Sequence, residues 1–65
     1  MTKLERIAEA MDMAREHRFR AMAHVLGPGW LDTVPDYVRD IWVCGRVDDM
    51  EDALARWRDV LLCNR

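Results

Sequence analysis

The first apolar pattern in the chain runs from Lys3 to Leu26. Leu4, Ile7, Ala8, Met11, Ala14, Met22, Val25 and Leu26 recur at helical spacing, while Glu5, Glu9, Asp12, Glu16 and Arg20 take the opposite side. The pattern predicts one amphipathic helix of about six turns at 3.6 residues each. Thr2 sets its start as an N-cap, with Glu5 three residues on to complete a capping box. Gly27-Pro28-Gly29 sets its end, with a residue free to go left-handed followed by one that has no amide and a fixed φ. Two positions break the pattern, because Arg15 and Arg18 project into the apolar stripe. Their aliphatic stems could cover apolar surface while the guanidinium groups reach water or a carboxylate. Alternatively, a kink near Glu16-His17-Arg18 rotates the register, or this part of the stripe is uncovered and meets a partner.

After the break, Trp30-Leu31-Asp32 is expected to close one end of the core. A second helix follows, capped by Thr33, with Pro35 in its first turn and Asp36 three residues after the cap. It runs to Cys44 and stops at Gly45, a left-handed residue just past the end. Val34, Tyr37, Val38, Ile41 and Cys44 form its inner face with Trp42 on the flank, and Asp36, Arg39, Asp40 and Val43 face outward. Beyond Arg46-Val47, Asp48 caps a third helix and Glu51 completes another capping box. Its stripe is Met50, Ala53, Leu54, Trp57, Val60 and Leu61, and Asp52 and Arg56 form an i,i+4 pair. No alternating β-branched run appears, so the expected fold is all-α: a three-helix bundle of one long N-terminal helix packed on an antiparallel pair, a single domain over residues 1–65.

Size bears on how such a bundle holds together. A chain of 65 residues buries only about 60% of its unfolded surface, so the large side chains of three tryptophans and five methionines matter to its core. The net charge of −2 gives no general attraction for nucleic acid, but it is unevenly spread. Residues 1–31 carry five cations against four carboxylates, a net of +1, and residues 32–65 carry five against eight, a net of −3. Met1-Thr2-Lys3 leads straight into a charged helix without the apolar segment of a signal peptide, and no apolar run approaches the ~20 residues that cross a bilayer. The expected location is therefore cytoplasmic, with thiols reduced and no membrane partner.

Candidate chemistry is sparse. Cys44 and Cys63 end adjacent antiparallel helices, up to ~20 Å apart at 1.5 Å per residue, too far for a disulfide, and no Cys-x-x-Cys spacing suggests a redox centre. His17 and His24 stand seven apart on one helix face, about 10 Å along the axis, too far to share a metal ion. Thr2 and Thr33, the only hydroxyl-bearing Ser/Thr residues, serve as caps, and Gly-Pro-Gly lacks the spacing and lysine of a phosphate loop. These features predict no enzyme, no metal and no cofactor. A helix-turn-helix reading of the last two helices would send Asp48-Asp49-Met50-Glu51-Asp52 toward the phosphates, which four carboxylates oppose. Nucleic-acid binding instead rests on Arg15-Glu16-His17-Arg18-Phe19-Arg20, basic residues around one aromatic.

Partner binding has the broader base. Asp36, Asp40, Asp48, Asp49, Glu51 and Asp52 concentrate negative charge in the second half, although capping and solubility account well for Asp48 and Glu51. Phe19, Trp30, Tyr37, Trp42 and Trp57 exceed what so small a core holds, and Trp42 or Phe19 is expected to be partly exposed. With a 65-residue frame read as complete from Met1, no catalytic motif and this acidic helical surface, the chain resembles the small anti-CRISPR proteins of phages and mobile elements. The resemblance implies an inhibitor in a bacterial host cell that occupies the basic channel where a CRISPR effector would take DNA. The expected partner is a larger protein or nucleoprotein complex with a basic surface. It would be met by Asp36, Asp40, Asp48, Asp49, Glu51 and Asp52 with Trp42, Arg15 and Arg18, the chain acting as a monomer or homodimer. The alternatives are a small DNA-binding regulator using Arg15–Arg20 and a homo-oligomeric structural module, in which Arg15 and Arg18 meet a second copy's acids.

Overall fold

The first helix forms from the cap that the sequence announces, but it ends after about half the expected length. In the computed structural model, which describes residues 2–63, α1 spans Lys3–Arg15. The Thr2 hydroxyl accepts from the Glu5 amide at 3.2 Å, and the Glu5 carboxylate accepts from the Thr2 amide at 3.4 Å. The single six-turn helix is not what forms. His17 adopts φ +57°, and its amide donates to the Ala14 carbonyl at 3.0 Å while the Arg18 amide donates to the Met13 carbonyl at 2.8 Å. That pair of bonds is a Schellman closure with His17 in the left-handed position that glycine usually takes. α2, Phe19–Leu26, then starts in a new register and packs against α1. The break therefore answers the two misplaced arginines: Arg15 and Arg18 are both exposed. It also changes the inner face of α1, where Ala10 is buried and Ala8 is exposed.

After Gly27 and Pro28 the chain makes one helical turn, α3 (Trp30–Thr33), and then α4 (Asp36–Val43). Thr33 does not cap α4. Its hydroxyl donates back to the Trp30 carbonyl at 2.9 Å, because Val34, the residue before Pro35, is extended at φ −86°, ψ 156° and puts Thr33 outside the first turn. Gly45 closes α4 as expected, with φ +75° and amide bonds from Gly45 to Trp42 and from Arg46 to Ile41. A short 3₁₀ turn, Val47–Asp49, leads into α5, Met50–Cys63.

The regular structure of the described residues is all helical, with no strand among them, and it is not arranged as one long helix on a pair. α1 packs against both α2 and α5, and α4 packs against α5. The Cα radius of gyration, 10.7 Å, equals the value of about 10.7 Å expected for a compact chain of this length. Ile7, Met22, Val38, Met50 and Leu54 are the largest fully buried side chains, and Ala10, Met11, Ala14, Trp30, Val34, Ala53 and Trp57 complete the buried core. Cys44 and Val60, expected inside, are exposed, and both cysteines are free thiols. No described helix is long and apolar enough to cross a membrane.

Candidate functional site

The acidic set divides according to what each carboxylate meets. Asp36, in the first turn of α4, takes the Arg39 guanidinium at 2.9 Å. The spacing of Arg39 points it outward, yet its Nε also donates to the Leu31 carbonyl at 2.9 Å, so it is a clasp between α3 and α4. Glu51 reaches across to α1 and accepts from Arg15 Nε at 2.6 Å, and Asp12 flanks the same guanidinium at 3.7 Å. The Arg15 pKa is raised, first by that hydrogen bond and then by the charge of Glu51, which keeps it cationic over the whole working range. Asp48 lies 3.7 Å from His17 Nε2, and no capping bond from its side chain to the start of α5 occurs among the described residues. In place of the capping box expected there, Glu51 pairs with Arg15 at the end of α1 and Asp48 approaches His17 in the turn that follows.

Three carboxylates remain. Asp40 on α4, Asp49 at the end of the 3₁₀ turn and Asp52 on α5 line one groove with Tyr37, Ile41, Ala53 and two cations, Arg46 and Arg56. None of the three is in an ion pair among the described residues. The Asp52–Arg56 pair does not form, because the Arg56 guanidinium sits over the Tyr37 ring, 4.5 Å from its centroid. The Tyr37 hydroxyl is buried without a hydrogen-bond partner among the described residues. Spacing alone makes Tyr37 and Ile41 packing residues and Arg56 a pairing residue, and nothing local marks them as groove walls. Helical spacing sets Tyr37 beside Asp40 and Ile41, and Asp52 beside Arg56, but the two groups meet only because α4 packs on α5.

Trp42 lies away from that groove. Its ring stands edge-on to Trp30, with centroids 5.1 Å apart at 81°, and to Phe19 at 6.5 Å. It is half-buried, as is Phe19, while Trp30 and Trp57 are buried. The basic segment Arg15–Arg20 is split by the turn. Arg15 faces Glu51, Arg18 lies 3.9 Å from Glu16, and Arg20 is in no ion pair among the described residues. No group of His, Cys, Asp and Glu that could hold a metal ion occurs among the described residues. Comparison with protein-family models, with curated proteins and with solved structures finds no match.

Proposed function

We propose that this chain is a non-enzymatic binding protein that docks onto a basic surface of a larger protein or nucleoprotein complex through its α4–α5 face. The observation that carries this reading is the convergence of Asp40, Asp49 and Asp52 on one groove walled by Tyr37 and Ile41, where none of the three is ion-paired among the described residues even with Arg46 and Arg56 in the same lining. Solvated carboxylates clustered beside aromatic and aliphatic surface give both steering charge and an apolar anchor for a partner's Arg or Lys side chain. Asp36, Asp48 and Glu51 serve the fold in the free chain, and their contribution to binding is secondary. In its most specific form the partner is a CRISPR effector complex and the blocked surface is its DNA channel. The support for that form is general character: small size, a helical fold and an acidic face without a catalytic motif.

The test is affinity capture from a bacterial lysate with and without nuclease, followed by binding kinetics on the purified partner. The expected result is a stoichiometric protein that survives nuclease, with association slowed at least ~10-fold by Asp40→Arg or Asp49→Arg and the helical circular dichroism unchanged. Unchanged binding by both variants overturns the electrostatic reading. Recovery of nucleic acid alone moves the function to the basic α1–α2 region.

A further inference from the structure

A second surface shares no lining residue with the Asp40–Asp49–Asp52 groove. The break at His17 lets α2 pack against α1 and leaves between them an open groove of ≈ 770 Å³. Its floor is apolar, made by Met13, Phe19 and Val25, all half-buried. Its rim is cationic, with Arg18 and Arg20 exposed beside His24, and Glu9 is its one carboxylate among the described residues. Such a groove suits a helix that presents a narrow apolar strip flanked by acids.

The chain itself displays that helix face. Asp52, Ala55, Asp59, Val60 and Cys63 fall at i, i+3, i+7, i+8 and i+11 along one side of α5 and line a shallow, mostly apolar depression. Val60 is 44% exposed there, although its position in the apolar stripe predicts burial. The Asp59 side chain is 65% exposed, and its one ion pair among the described residues is with its neighbour Arg58 at 3.3 Å. Arg56 shares this side, but its guanidinium is drawn over Tyr37 toward α4. The strip is about 16 Å long at 1.5 Å per residue, against about 12 Å for α2. Charge divides the same way across the whole chain, +1 in residues 1–31 and −3 in residues 32–65.

We propose that the α1–α2 groove receives the outer ridge of α5 from a second copy of this chain, with Asp59 and Asp52 of one copy facing Arg20 and Arg18 of the other. Apolar contact between Val60 and the Met13–Phe19–Val25 floor supplies burial, and the charge pairing fixes which way the ridge lies. Asp52 borders both surfaces, but Arg20 and Asp59 lie outside the Asp40–Asp49 groove, so variants at these two positions test self-association apart from partner docking.

Sedimentation of the full chain across a wide concentration range tests it. The wild type is expected to associate with rising concentration and less so with added salt. Arg20→Glu and Asp59→Lys are both exposed substitutions, and each alone is expected to weaken association at least ~10-fold by setting like charges together. In an equimolar mixture of the two variants, the introduced carboxylate of one faces the introduced ammonium of the other, and the remaining Arg20 faces the remaining Asp59. Opposite charges then meet at both kinds of contact, and association is expected to recover. A wild type that stays monomeric at the highest concentration, or a mixture that does not recover, overturns the proposal. So does a monomer that instead sediments with vesicles of acidic phospholipid or binds a short DNA duplex, outcomes that assign the basic groove to those ligands.

Discussion

His17 carries the turn on which the architecture depends, and it does so with φ +57°, a conformation that costs an L-residue with a side chain about 1–2 kcal/mol. Two contacts help hold it there: an edge-on approach of its ring to Phe19 at 5.4 Å and the approach to Asp48 at 3.7 Å. A β-branched residue tolerates the left-handed region least and glycine most. His17→Val is therefore expected to be about 2 kcal/mol less stable than His17→Gly in urea denaturation, although glycine removes both contacts. Equal stability of the two variants would mean that the turn does not keep its left-handed residue. The same Schellman closure ends α4 at Gly45, where it is legible because glycine is the residue that announces it. At His17 the residue type gives only a weak sign, since histidine is enriched in the left-handed region but far less than glycine. The clearer trace is indirect: two arginines standing where a continuous helix would bury them.

At the level of elements, apolar periodicity locates the helical segments well, and local rules fail where a side chain finds a distant partner. Glu51 and Asp48 sit where a capping box should form, yet one reaches Arg15 on α1 and the other approaches His17. Spacing along the chain cannot register a choice made between a neighbouring amide and a cation brought in by the fold. Arg39 is the counterpart on the basic side. Its outward helical position suggests a solvated charge, but α3 places the Leu31 carbonyl at 2.9 Å from Nε and the Val34 carbonyl at 3.5 Å from a terminal nitrogen. Arg39→Ala should cost about 1–2 kcal/mol, since it strips a charged donor from carbonyls at the α3–α4 joint. Arg39→Lys is expected to recover less than half of that, because a single ammonium cannot serve three acceptors spread over a planar fork. Thermal denaturation of the two variants side by side checks both statements, and full recovery by lysine would reduce Arg39 to a surface charge.

Across the whole molecule, all-helical class is readable from composition and period, whereas the groove is not. Asp40, Asp49 and Asp52 look alike in sequence to Asp36 and Asp48, and only the packing of α4 on α5 sorts the carboxylates lining the groove from those held by Arg39 or facing His17. That packing depends on a very small core. A domain of this length has about 3–10 kcal/mol of stability at ordinary values per residue. Leu54 is fully buried on α5, the helix that packs on both α1 and α4. Leu54→Ala is expected to lose about 2–5 kcal/mol through lost burial and the cavity left behind, enough to leave the chain near or past its unfolding midpoint at 25 °C. Val43, 72% exposed at the end of α4, supplies the contrast: Val43→Ala should change stability by no more than about 0.5 kcal/mol. Circular dichroism melts of the pair decide the matter. If Leu54→Ala keeps a cooperative, wild-type transition, then α5 is not the element that joins the two sides. In that case the Asp40–Asp49–Asp52 groove, to which α4, the 3₁₀ turn and α5 all contribute, would keep its geometry without the Leu54 side chain.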